Sequence, residues 1–130
     1  MERFVRDLNP PPPVTVRKDV PLSQAVAAMV EHKVGTVLVL DDDGKLAGIF
    51  SERDLLQRVP TADAKSGTRP ISEFMTPDPE TIGADDTLVL ALQKMDVGGY
   101  RHLPVMNGGS PVGMISVRGM VRHIAKLCRE

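Results

Sequence analysis

The sequence predicts an α/β chain of the α+β kind: two β-α-β-β-α repeats packed sheet to sheet about a pseudo-twofold axis. Three observations predict it. The chain is written twice, each copy changes from helical to strand periodicity at matching places, and each copy alone is too short to bury its own sheet. The duplication is plainest between "TVRKDVPLSQAVAAM" (residues 15–29) and "TIGADDTLVLALQKM" (residues 81–95). Thr15 and Thr81 stand 66 residues apart. The same offset relates Asp19 to Asp85, Leu22 to Leu88, Ala25 to Ala91, Val26 to Leu92 and Met29 to Met95. Self-similarity at a fixed period marks a repeated structural unit.

Each copy opens on a short extended piece, around residues 14–16 and 80–82. A helix follows, because the last four matched pairs fall at i, i+3, i+4 and i+7, the apolar stripe of an amphipathic helix. Asp19 and Asp85 precede these helices and are placed to accept bonds from their free N–H groups. Pro21 falls in the first turn, where its missing N–H costs little. Next come "TVLVLDDDGKLAGIFS" (36–51) and "HLPVMNGGSPVGMIS" (102–116), each a strand, a tight turn and a strand. Asp43-Gly44 and Gly108-Gly109-Ser110 supply the turn residues a hairpin needs. Gly48 now matches Gly113, so the second turn is one residue shorter. The runs "ERDLLQRV" (52–59) and "VRGMVRHIA" (117–125) then read as helices. The polar stretch 60–70 has proline at both ends and reads as a linker. "ISEFMT" (71–76) reads as a short helix or turn that introduces the second copy. "NPPPP" (9–13) is extended, a stiff lead-in rather than a docking motif. The expected organisation is repeat one at 9–60, a linker at 61–70 and repeat two at 71–126, together one module. Neither half can bury its apolar strand faces alone, so the halves should pack on each other with a crevice on either side.

Composition narrows the function. The 130 residues are 42% apolar and 25% charged, with a formal net charge of −1. That balance argues for no nucleic acid and no acidic membrane partner. Aromatics are 3% with no Trp, which leaves few stacking platforms for single strands. Cys128 is the one cysteine, so neither an internal disulfide nor a cysteine-based zinc site is expected, and a reducing compartment is. "MERFVRDLNP" does not read as a secretory signal, and the apolar run 34–40 is too short to cross a bilayer. A cytoplasmic location is expected. Three scattered histidines without acids at ligand spacing give no metal site. Asp41-Asp42-Asp43-Gly44 begins like a calcium loop but lacks its later acids, so turn chemistry accounts for it. No phosphate loop, dinucleotide fingerprint or nucleophile arrangement is present, and no enzyme is expected.

The stretch "GIFSERDLL" (48–56) carries the candidate chemistry. Ser51-x-x-Asp54 has the spacing of a capping box, in which hydroxyl and carboxylate satisfy backbone N–H groups reciprocally. The same groups suit a ligand. A carboxylate can accept two hydrogen bonds from a cis-diol, and a helix N-terminus favours phosphate. The second copy, "GMISVRGMV", keeps Gly113 and Ser116 but has Gly119 where the acid would stand.

The repeats, with "PVTV" and "MTPDPETI" leading in and "GIFSERD" and "GMISVRG" at the strand-to-helix turns, resemble a tandem pair of cystathionine β-synthase (CBS) domains, a Bateman module. The resemblance covers residues 9–126. It implies a stand-alone, non-catalytic module that binds an adenosine-containing ligand in the cleft between its repeats and signals to a partner. AMP, ADP and ATP stand ahead of S-adenosylmethionine and NAD, and no covalent cofactor is implied. The family pattern Gly-x-x-[Ser/Thr]-x-x-Asp falls on Gly48, Ser51 and Asp54, with the Asp on ribose and the Ser near phosphate. On that pattern the Asp54 site also takes Gly35, Thr36, Ile49 and Arg53 from its own repeat. Thr76, Glu80, Thr81, Tyr100, Arg101 and His102 would come from the other repeat. A second site would use Met114, Ser116 and Arg118 with Val14, also sharing Arg101, His102, Gly35 and Thr36, and lacks its acid at Gly119. The family implies a homodimer formed through helices and a regulated enzyme or transporter as partner. The alternative is a ligand-independent assembly module with vestigial sites.

Overall fold

The computed structural model describes residues 3–59 and 65–129. Residues 60–64, part of the expected linker and the last residue of the expected first repeat, lie outside the described residues. The described chain is α+β and forms two compact units: residues 14–79, and residues 80–130 together with residues 1–13.

The unit 14–79 contains β1 (Thr15–Arg17), α1 (Leu22–His32), β2 (Thr36–Leu40), β3 (Leu46–Ser51), α2 (Glu52–Arg58) and β4 (Thr76–Pro77). Its sheet has the order β1-β2-β3-β4. β1 runs parallel to β2, and the other pairs are antiparallel. β2 reads "TVLVL" and is buried along nearly its whole length, which explains its continuous apolar run. Leu22, Ala25 and Met29 of α1 pack with Val37, Val39 and Phe50 into one core. The turn between β2 and β3 uses Gly44 at φ 77°, as the Asp-Gly pair predicts.

The other unit contains β5 (Ile82–Gly83), α3 (Leu88–Gly98), β6 (His102–Asn107), β7 (Ser110–Ser116) and α4 (Val117–Leu127). Its sheet has the order β5-β6-β7, parallel and then antiparallel. Gly108 and Gly109 carry the turn at φ 63° and 88°. Ala91 and Met95 of α3 are buried, whereas Leu92 of the predicted stripe is 39% exposed.

Several expectations are corrected. Neither Asp19 nor Asp85 caps its helix. α1 begins after Pro21, which is the N-cap itself, and the Leu22 N–H is taken by the Arg69 carbonyl at 2.8 Å. Thr87 caps α3 through the Leu90 N–H, while Asp85 pairs with Arg6 at 2.6 Å. Residues 65–70 are not a free linker. Ser66–Thr68 and Ile71–Glu73 form short 3-10 turns, with Ser66 buried. "ISEFMT" does not introduce the second copy but completes the first core, where Ile71 and Phe74 are 0% and 4% exposed.

That last correction reveals a longer repeat. The 3-10 turn Val5–Leu8 places Val5, 0% exposed, in the core of the other unit. The bonds match at the 66-residue offset. Leu88 N–H donates to Arg3 O at 3.0 Å as Leu22 N–H donates to Arg69 O. Val5 N–H donates to Asp86 O as Ile71 N–H donates to Val20 O, and Arg6 N–H to Ala84 O as Ser72 N–H to Lys18 O. Residues 3–11 and 69–77 are therefore copies of one segment, and each completes the repeat it does not directly precede. Gly48 and Gly113 serve this arrangement. A Cβ on Gly48 would strike Met75 and lie 2.9 Å from the Thr76 carbonyl, and one on Gly113 would lie 3.1 Å from Pro10. Pro11 O accepts from Met114 N–H at 3.2 Å, but Pro10–Pro13 have no N–H to donate, so no fourth strand forms here.

Candidate functional site

β3 delivers its last residue, Ser51, to the start of α2, and the capping box is formed in full. Asp54 Oδ2 accepts the Ser51 N–H at 2.9 Å and the Ser51 hydroxyl at 3.1 Å. The Asp54 N–H donates to Ser51 Oγ at 3.3 Å. The other carboxylate oxygen, Oδ1, faces the Thr76 hydroxyl and Arg58 Nε, each at 3.4 Å. The Asp54 side chain is 13% exposed. A carboxylate has about four lone-pair directions, and each of these donors takes one. The Oδ2 contacts are short and local. The Oδ1 contacts are long, and these are the ones a ribose hydroxyl can replace.

Thr36 lies beside this group. It is paired with Ser51 across β2 and β3 and is 7% exposed. Its hydroxyl is buried with no hydrogen-bond partner among the described residues. Such a group costs about 1–3 kcal/mol relative to a satisfied one, so an orphaned hydroxyl is a natural contact point for a ligand atom. Gly35 precedes it, and its carbonyl accepts the Glu52 N–H at 2.9 Å. A Cβ at Gly35 would meet Glu52 Oε1 at 2.5 Å. Ile49 pairs with Thr76 across β3 and β4. Arg53 is exposed on α2.

The structure therefore brings Gly35, Thr36, Ile49, Ser51, Arg53, Asp54 and Thr76 together in the unit 14–79. Thr76 was expected from the other repeat, and here the exchange of residues 69–77 is the physical reason it sits beside Asp54. Val14 also belongs to this unit, where its carbonyl accepts from Leu38 N–H at 2.9 Å. Arg58 is the neighbour the sequence did not single out, although its i+4 spacing from Asp54 on a helix was a readable signal.

Glu80, Thr81, Tyr100, Arg101 and His102 belong to the other unit. Lys94 of α3 bonds Glu80 Oε1 at 2.9 Å and the Thr81 carbonyl at 2.7 Å. This pairing neutralises the acid. Tyr100 is 41% exposed, and its ring covers Gly98 closely enough to leave no room for a Cβ there. His102 is held below its ordinary value near 6.5, first by burial and then by the Arg101 charge. At the second site Ser116 Oγ accepts the Gly119 N–H at 3.0 Å, which is half of the box that Ser51 and Asp54 complete. Met114 is partly buried and Arg118 exposed. Among the described residues no group of three or more His, Cys, Asp or Glu is placed to hold a metal, and no helix is long and apolar enough to cross a membrane.

Two copies of a β-α-β-β-α unit, one of them with a complete Ser-x-x-Asp strand-to-helix turn, define a class, and comparison with known proteins agrees. The CBS domain model matches residues 5–61 and 71–126. The chain belongs to the CBS domain family as a tandem pair. A 17.7 kDa protein of Acidianus ambivalens is 32% identical over 110 residues, covering 84% of this chain and 65% of that protein. The chain spans 21% of an Arabidopsis thaliana CBS-domain protein it also matches. Among solved structures, the CBS-domain containing protein ATU1752 from Agrobacterium tumefaciens superposes with a TM-score of 0.81 at 35% identity, covering 94% of this chain and 93% of that one. CBSX2, solved in complex with AMP, superposes with a TM-score of 0.80 at 25% identity, covering 96% and 98%.

Proposed function

We propose that the chain is a non-catalytic regulatory module that binds AMP, ADP or ATP and passes the bound state to a partner enzyme or transporter. The observation that carries this reading is the buried, unpartnered Thr36 hydroxyl beside the Ser51–Asp54 box. In this reading Asp54 takes the ribose hydroxyls by exchanging its long Thr76 and Arg58 contacts, and Thr36 donates to the ligand. Ser51 and Arg53 stand on the phosphate side. Glu80, Thr81, Tyr100, Arg101 and His102 are the second repeat's proposed contribution, and S-adenosylmethionine and NAD are the less favoured ligands. The Val14, Met114, Ser116 and Arg118 group is proposed to bind weakly or not at all, because Gly119 brings no carboxylate. The AMP complex of CBSX2 supports an adenosine ligand. Self-pairing through helices and a cytoplasmic location complete the proposal. A signal follows only if the ligand binds two arrangements of the module unequally.

At a ligand concentration 100 times its Kd, binding adds roughly 2.7 kcal/mol of stability, a rise of several degrees in Tm. Thermal shift with AMP, ADP and ATP tests this. Asp54→Ala should remove most of the rise, and no response of the unaltered protein to any of the three overturns the reading. A ligand-independent assembly module has one observation in its favour: every lone-pair direction of Asp54 already faces a donor of the protein. Unchanged partner capture by Asp54→Ala, together with no nucleotide response, would establish that reading instead.

A further inference from the structure

We propose that Arg58 is the gate of the Asp54 site: in the free protein it holds the carboxylate oxygen that a ligand diol takes, and on binding it releases β4. The inference rests on the nucleotide reading above and adds how that site is regulated. Two observations carry it.

The first is that one guanidinium makes two ties. Arg58 Nε lies 3.4 Å from Asp54 Oδ1, and Nη1 donates to the Met75 carbonyl at 3.2 Å. Arg58 is the last residue of α2, and its side chain is 47% exposed. The Met75 carbonyl directly precedes β4, which is two residues long. β4 pairs with Gly48 and Ile49, but its Pro77 has no N–H to donate. Beside that pairing, the Thr76 hydroxyl reaches Asp54 Oδ1 at 3.4 Å and the Asp78 N–H reaches Ala47 O at 3.2 Å. Asp54 Oδ1 therefore draws both Arg58 and Thr76 to itself, and β4 with them.

The second is competition for one atom. Oδ2 is committed to Ser51 inside the capping box, so a diol must come to Oδ1. An ion pair with an exposed partner is worth little, so Arg58 is displaced at small cost. Among the described residues only the Met75 bond then restrains it, and fixing a long exposed side chain by one bond costs rotamer entropy. Arg58 turns to solvent and the tie to β4 opens. Residues 78–81 follow β4 and lead into the other unit, so occupancy reaches the chain between the repeats. The second repeat has no counterpart. On the offsets that match the two copies, Gly119 stands for Asp54, His123 for Arg58 and Pro10 for Thr76. The gate is built once, in the repeat that has the acid.

Calorimetry on the full chain tests this, with adenosine beside AMP, because a neutral nucleoside is free of the attraction any cation has for phosphate. Arg58→Met keeps the length of an exposed side chain, so folding should be unaffected. It should bind adenosine about two- to fivefold more tightly than the unaltered protein, the range that loss of a competing exposed ion pair allows. Arg58→Lys, which keeps the charge, should return the affinity towards the unaltered value. Amide exchange is the second readout, and it alone decides where adenosine binds too weakly to measure. AMP should speed exchange of the Asp78 N–H in the unaltered protein. In Arg58→Met that exchange should already be fast and change little with AMP. Unchanged or weaker adenosine binding by Arg58→Met overturns the gate and leaves the nucleotide reading intact. Unchanged or slower Asp78 exchange on AMP binding to the unaltered protein overturns it also. No binding of adenosine, AMP, ADP or ATP by the unaltered protein overturns both the gate and the reading it rests on.

Discussion

Asp54 and Thr36 make opposite demands on the protein. Asp54 is satisfied by the fold, and its capping role alone explains its presence. Thr36 is not satisfied, and its hydroxyl is a cost that packing does not explain. Replacing it with a methyl of the same shape removes that cost. Thr36→Val should raise stability by about 1 kcal/mol, read by denaturant unfolding, while weakening AMP binding measured by calorimetry. A gain in stability with unchanged affinity would place the nucleotide away from Thr36. His102 gives a pH signature. Its depressed pKa means that the unfolded chain binds more protons than the folded one between the folded value and about 6.5. Stability should therefore fall as pH drops through that window and hold steady above it. His102→Gln should flatten the slope, and an NMR titration should place the imidazole midpoint below 6.5.

Among the elements, α2 and α4 begin in the same way but differ at N3. α2 has a carboxylate there and a closed box; α4 has Gly119 and half a box. A Cβ at Gly119 would lie 3.3 Å from Ser116 Oγ, a hydroxyl that can rotate by the few tenths of an ångström required. Gly119→Asp removes a helix-interior glycine and adds a carboxylate at a helix N-terminus, so it should stabilise the chain by about 1 kcal/mol. A melt showing a loss instead would mean that the Ser116 hydroxyl cannot move. The amphipathic character of α4 is the other feature of this scale: Met120 is buried, while Val117, Val121 and Ile124 are exposed.

For the whole molecule, the exchanged segments set what can fold. The unit 14–79 is continuous in sequence and contains its own completing segment at residues 69–77. The other unit needs residues 3–11, which supply Val5 to its core and three backbone bonds to Ala84, Asp86 and Leu88. Deleting residues 1–13 from the full chain should therefore lower its melting temperature by circular dichroism, and a peptide of residues 1–13 added in trans should restore part of the loss. An unchanged melt would mean that the N-terminal segment is dispensable.

The duplicated helices, the two hairpins and the Ser51–Asp54 box were legible in the sequence, because periodicity, turn residues and cap spacing are local properties. Leu22, Ala25 and Met29 announce their buried face through spacing alone, and Gly44 and Gly109 announce positive φ through residue type. The exchange of residues 3–11 and 69–77 was written there too, in Arg3 and Arg69, Val5 and Ile71, Leu8 and Phe74, but so thinly that only matching hydrogen bonds expose it. Three results required the tertiary structure. Thr76 lies beside Asp54 because a later segment returns to the first sheet. Pro21 rather than Asp19 heads α1, and the Leu22 N–H at its start is taken by the Arg69 carbonyl, remote in sequence. The Thr36 hydroxyl is buried without a hydrogen-bond partner among the described residues, which its residue type does not announce. Local pattern determines which elements form. Which atoms they leave unsatisfied depends on contacts between residues far apart in the chain.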